Sequence, residues 1–241
     1  MTALQPAIAS RRNPGEVWRI GYAPEPWRWV DWRHANGKPF TGRWDSPDAN
    51  YRTIYAGSTL MASLVEVLAR FRRDPLTDAD MGTIIVDEVD AALYPTVPAG
   101  VVDPGWFDVR LKARATLSGS FADVAAASTV AALRPVCLPL ARDRYRAADF
   151  DISTLQDSGY RELTQLVGKH LYEKTDPDGT ADFDGIRFLS RHGADLELWT
   201  LFERSTGHDP SALLTDLHSA PVLPSDPDVK AALALHGLTV D

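Results

Sequence analysis

The order of strand-like and helix-like segments constrains this chain most, because the two kinds do not alternate. Glu16–Tyr22 (EVWRIGY) is rich in β-formers and predicts a first strand, and Arg52–Gly57 (RTIYAG) predicts a second. Ser58 or Thr59 then predicts a helix N-cap. Leu60, Met61, Leu64, Leu68 and Phe71 follow at helical spacing, to about Arg73. Thr83–Val89 is strand-like, Phe121–Leu133 is alanine-rich and predicts a helix, and Arg134–Leu138 predicts a further strand. Asp157 predicts the cap of a helix through Lys174, ending at the turn Asp176-Pro177-Asp178-Gly179. Two more strands, Gly185–Leu189 and Leu196–Phe202, precede a proline-rich tail with one helical pattern, Val229–Leu235. Runs of this kind point to α+β rather than a doubly wound sheet.

Between the first two strands lies a long irregular stretch, Ala23–Asn50. Five of the seven tryptophans fall between Trp18 and Trp44, which argues against disorder there and for a functional loop. Cys137 is the only cysteine, so an internal disulfide framework and a cysteine-built metal site are excluded, and a reduced, cytoplasmic setting is favoured. No apolar run approaches the ~18 residues of a membrane span. His170, His192, His208 and His218 lack metal-ligand spacing, so no metal is expected. There is no phosphate-cradling glycine-lysine loop and no Gly-x-Gly-x-x-Gly run. The net charge of −8 conceals a basic segment: Arg11–Arg73 holds 11 Lys+Arg against 6 Asp+Glu. A positive segment on an acidic chain fits a local anion site and not direct nucleic-acid binding.

Four positions stand out: Arg19 on the first strand, Arg43 in Gly42-Arg43-Trp44, Tyr55 on the second strand and Glu66 on the helix behind it. The block Thr41–Arg70 (TGRWDSPDANYRTIYAGSTLMASLVEVLAR) resembles the signature of RES-domain proteins. A second block, Arg161–Glu203, contains Asp184-Gly185-Ile186-Arg187-Phe188-Leu189-Ser190-Arg191 and resembles that family's Gly-Ile-Arg-Tyr-x-Ser segment and closing strand. Phe188 stands where the family commonly has tyrosine, and Thr200 near where it often has asparagine.

The resemblance implies an ADP-ribosyltransferase-like fold, a split β-sheet core with surrounding helices and an NAD⁺ cleft. It implies a toxin-type enzyme that cleaves the nicotinamide–ribose bond, with NAD⁺ as substrate and inorganic phosphate, or water, as acceptor. It further implies a helix-turn-helix antitoxin as partner and leaves homo-oligomerisation open. The expected organisation is a tail (1–15), a RES-like domain (16–204) and a C-terminal extension (205–241). Mono-ADP-ribosylation of a cellular protein and an inactive binding module are the alternatives.

The residue types suit that chemistry. Nicotinamide in NAD⁺ is already a cationic leaving group, so the enzyme must stabilise an oxocarbenium-like ribose and place an acceptor. Glu66 would stabilise the developing charge and Tyr55 would lie against the nicotinamide. Arg19 and Arg43 would hold pyrophosphate or incoming phosphate, and Ser190 would offer a hydroxyl. Each has a plainer reading: Glu66 as the helix partner of Arg70, Tyr55 as a core aromatic, Arg43 paired with Asp45 or Asp48. Arg142-Asp143-Arg144-Tyr145-Arg146 reads as a solvated turn.

Overall fold

A computed structural model describes residues 6–35, 40–73, 98–204 and 209–241. In chain order the elements are β1 (Ser10–Arg12), β2 (Gly15–Tyr22), β3 (Thr53–Gly57), α1 (Leu60–Leu68), β4 (Val101–Val102), α2 (Gly105–Asp108), β5 (Arg110–Leu117) and β6 (Ser120–Asp123). There follow α3 (Ala127–Tyr145), α4 (Ile152–Gln156), α5 (Arg161–Glu173), β7 (Gly185–Ser190), β8 (Gly193–Phe202), β9 (Leu214–Pro221), α6 (Pro227–His236) and β10 (Thr239–Val240). The fold is α+β, as the unalternating order predicts. Thr83–Val89 lies outside the described residues.

Among the described residues eight strands form one mixed sheet in the order β1-β6-β7-β8-β3-β2-β5-β9, while β4 and β10 pair apart from it. Its two halves are regular ladders: β3 pairs β8 from Thr53–Phe202 to Gly57–Leu198, and β2 pairs β5 from Gly15–Leu117 to Tyr22–Arg110. Where the halves meet, β2 and β3 touch at a single pair, Trp18 opposite Gly57. The sheet therefore splits beyond that point. Side chains satisfy the backbone groups a continuous ladder would have paired. The Ser63 hydroxyl accepts from Gly57 N at 3.1 Å and donates to Trp18 O at 2.7 Å, and Arg19 Nη1 donates to Tyr55 O at 3.0 Å.

Three apolar clusters clothe the sheet. Leu133, Cys137, Leu163, Val167 and Leu171 on α3 and α5 pack with Ile186, Phe188 and Leu198. Val17, Ile54, Ala113, Trp199 and Leu201 form a second cluster, capped by Trp27 and Trp29. Leu64, Val65 and Leu68 on α1 pack with Val229, Ala232 and Leu233 on α6. The tryptophan-rich stretch thus joins two clusters: Trp27 and Trp29 belong to one, and Trp44, 1% exposed, belongs to another. Burial of those rings, each worth roughly 2–3 kcal/mol, holds an otherwise irregular segment in place.

Arg52, at the end of that stretch, forks onto the buried Glu203 with Nε–Oε2 at 2.6 Å and Nη2–Oε1 at 2.5 Å. Arg52→Ala would leave a carboxylate that is 5% exposed without its cation. We expect a loss of about 3–5 kcal/mol in urea unfolding; a midpoint unchanged from wild type would show the pair to be idle.

Several expectations are corrected. Phe121 sits on β6, and the helix begins at Ala127 and runs through Arg134–Leu138 and both Pro135 and Pro139. Thr129, Leu133, Cys137 and Ala141, spaced every four residues, give it a continuous buried stripe. Asp157 caps nothing at the start of α5, which begins at Arg161; it accepts from Gly159 N instead, and Asp151 caps the separate α4. The α1 helix is shorter than expected, passing at Ala69 into a 3₁₀ turn that ends at Phe71. Its cap is Thr59, whose hydroxyl accepts from Ala62 N. Arg142–Tyr145 close α3, and Arg146 ends it in a left-handed conformation (φ 57°).

Residues 209–241 add β9 to the sheet edge, and α6, on the predicted Val229–Leu235 pattern, packs on α1. Among the described residues no helix is long and apolar enough to cross a membrane.

On α5, burial and the neighbouring Lys174 hold the His170 pKa below its ordinary value, against a smaller opposing effect of Glu173. The unfolded chain therefore takes that proton first, and stability should fall as pH drops through about 6.5. The fall in melting temperature between pH 7.5 and 5.5 should be smaller in His170→Gln; equal falls would contradict this.

Candidate active site

The split in the sheet opens a cavity of about 250 Å³ lined by Arg19, Tyr55, Ser63, Glu66, Phe188 and Leu198, among others. Its residues come from both halves of the sheet and from α1. Thr59 starts that helix immediately after β3, so Glu66 reaches the gap two turns later.

Glu66 is held from behind. Ser190 Oγ, 1% exposed at the end of β7, donates to Glu66 Oε1 at 2.5 Å and accepts from His192 N at 2.9 Å. The Glu66 Oε2 atom has no hydrogen bond among the described residues, and no ion pair joins Glu66 to Arg70. Ser190 thus meets the cavity only through Glu66. His192 carries a lowered pKa through burial, with Glu66 opposing and Arg191, His236 and Arg72 adding to the effect. The His236 ring nitrogen lies 2.8 Å from Val65 O, one residue before Glu66, so α6 also fixes the glutamate's helix.

Tyr55 presents its ring to the cavity, while its hydroxyl is locked in the Gly42-Arg43-Trp44 turn. Tyr55 Oη accepts from Trp44 N at 2.9 Å and donates to Asp45 Oδ1 at 3.0 Å. Asp45 also accepts from Gly42 N at 2.5 Å and from the Thr53 hydroxyl. A side chain at Gly42 would collide with Asp45 and lie 2.6 Å from Tyr55 Oη, so the turn requires glycine. Burial, reinforced by the Asp45 charge, pushes the Tyr55 pKa well up and keeps the phenol neutral.

Arg19 spans the split with no carboxylate partner among the described residues, and its Nε is buried without a hydrogen bond. Burial lowers its pKa to about 10, which leaves it charged at neutral pH. Arg43 stands on the other side of Phe188, with its guanidinium 5.7 Å from that ring's centre and Nη2 3.3 Å from Gln156 O. It pairs with neither Asp45 nor Asp48; Asp48 pairs with Lys169 instead. Burial lowers the Arg43 pKa, Glu66 raises it, and Arg161 and Arg191 lower it further. Arg161, Arg191 and Glu66 therefore all lie in electrostatic reach of Arg43, and none of the three arginines is in an ion pair among the described residues.

The structure brings Arg19, Tyr55, Glu66 and Ser190 together and sets Arg43 one ring away. Sequence reasoning missed Asp45, Ser63, Arg161, Arg191 and the two histidines. Only Asp45 had a signal, its place directly after Gly-Arg-Trp. Among the described residues no cluster of His, Cys, Asp or Glu is arranged to hold a metal.

No curated protein matches this chain. A solved structure, the M. tuberculosis MbcT–MbcA toxin–antitoxin complex, aligns over 95% of this chain and 90% of its own, at 12% identity and a TM-score of 0.41. The RES domain matches residues 16–218, which takes in β3 to β8, all of β2 but its first residue, and every residue placed around the cavity except His236. On that match the chain belongs to the RES domain family.

Proposed function

We propose that the chain is a toxin-type enzyme that cleaves the nicotinamide–ribose bond of NAD⁺, with inorganic phosphate as acceptor. The carrying observation is Glu66, a carboxylate held by Ser190, its second oxygen unbonded among the described residues, lining a small cavity walled by the Tyr55 and Phe188 rings.

In this reading the nicotinamide lies against Tyr55, whose hydroxyl is already engaged and does not compete for the ligand. The C1′–N bond breaks and its electron pair leaves with neutral nicotinamide, so no proton donor is required. Glu66 stabilises the positive charge that develops on the ribose. Arg19 holds the diphosphate. A phosphate oxygen then forms the new bond to C1′. The Arg43, Arg161 and Arg191 charges favour an anion over water there, and Arg43 supplies a planar donor fork for it. The family reading adds a helix-turn-helix antitoxin that would cover the cleft.

The test is nicotinamide release from NAD⁺ by the purified protein, followed with and without phosphate. Release that rises with phosphate supports the proposal. No release under either condition overturns it, and mass labelling of a target protein by ADP-ribose would then favour protein modification.

A further inference from the structure

A second cavity, of about 570 Å³, shares Arg19 with the first. The segment Tyr22–Arg33 builds it by folding back along β2. A side chain at Gly21 would overlap the Pro26 backbone, so glycine permits the fold-back. Asp209 ties the segment down through Trp29 N at 3.3 Å and Arg28 Nε at 3.2 Å.

Resting on the NAD⁺ reading above, we propose that this second cavity holds the adenosine half of the dinucleotide, with the diphosphate laid across Arg19 between the two cavities. Size is the first reason. About 250 Å³ lies below the roughly 300–1,000 Å³ of pockets that enclose a drug-sized ligand. That space suits nicotinamide and its ribose, and the rest of a dinucleotide must leave it.

Charge is the second reason. Arg19, at the boundary, has no carboxylate partner among the described residues, which suits a diphosphate. Arg28 and Arg33, which also line the second cavity, are each tied to acids, Arg28 to Glu25 and Asp209 and Arg33 to Asp31. Walls of balanced charge suit an uncharged nucleoside and not another phosphate. Pro24, Pro26, Val30 and the Tyr22 ring supply the apolar surface a purine needs. With Arg28 and Arg33 both already engaged by acids, neither is free to take a 2′-phosphate, so the site should take NAD⁺ in preference to NADP⁺.

The test is calorimetric binding of nicotinamide mononucleotide, ADP-ribose and 2′-phospho-ADP-ribose, all in a Glu66→Gln background so that turnover is suppressed. Val30→Trp fills the second cavity from an exposed position. It should weaken ADP-ribose at least 10-fold and leave nicotinamide mononucleotide within twofold. Glu25→Lys should tighten 2′-phospho-ADP-ribose several-fold. The assignment is overturned if Val30→Trp leaves ADP-ribose unchanged, if it weakens both ligands alike, or if nicotinamide mononucleotide binds and ADP-ribose does not. Should neither of those two ligands bind the unplugged protein, the NAD⁺ reading itself falls.

Discussion

Glu66→Gln should lower NAD⁺ turnover roughly 10²–10³-fold, the size of effect seen when a preorganised group that stabilises transition-state charge is removed. The amide still accepts from the Ser190 hydroxyl, so the helix and the cavity should keep their shape. What disappears is the negative charge beside the ribose. The loss should therefore fall on kcat, with KM moved by a few-fold at most. Ser190→Ala should have a smaller effect, roughly 10-fold, because Ser190 meets the cavity only by orienting Glu66. If Glu66→Gln kept wild-type turnover, the glutamate would be a spectator and the site would have to be sought elsewhere.

Asp45→Ala should damage both stability and activity, although Asp45 does not line the cavity. One buried carboxylate satisfies Gly42 N, the Thr53 hydroxyl and the Tyr55 hydroxyl. Its removal strands three donors at once. At about 1 kcal/mol or more each, the cost is about 3 kcal/mol, or roughly 6–12 °C in melting temperature for a chain of this length. Tyr55 loses the anchor that turns its ring to the cavity, and the turn that carries Arg43 loosens, so kcat/KM should fall as well. Asp45→Asn keeps one acceptor but sets an NH₂ against a donor, and should lie between alanine and wild type. A melting temperature within about 1 °C of wild type for Asp45→Ala would contradict this assignment.

These two residues differ in how readable they were. Glu66, Tyr55, Arg19 and Arg43 could be chosen from sequence because their spacing resembles the RES signature, while local rules (β-formers in short runs, a Thr59 cap, leucines at helical spacing) placed the first three on α1, β3 and β2. The split itself was not readable from spacing, since it depends on Ser63 and Arg19 taking over backbone partners across the gap.

The helix α3 was misjudged, its second half, Arg134–Leu138, being read as a strand, although Pro135 and Pro139 lie inside a continuous helix. Tertiary burial of Thr129, Leu133, Cys137 and Ala141 outweighs the two lost backbone donors. The strand β9 was missed because it is an edge strand whose residues after Leu214 are exposed, so no alternation marks it. The charges in reach of Arg43, namely Glu66, Arg161 and Arg191, come from distant segments, and only the fold assembles them.

The most direct test of the central claim is the fate of phosphate labelled with ¹⁸O at all four oxygens, incubated with NAD⁺ and the protein and read by mass spectrometry. Attack by phosphate on C1′ should give a phosphorylated ADP-ribose that retains all four labels, together with free nicotinamide. A product of unlabelled ADP-ribose alone would show water to be the acceptor and contradict phosphorolysis, and intact NAD⁺ would contradict the cleavage itself.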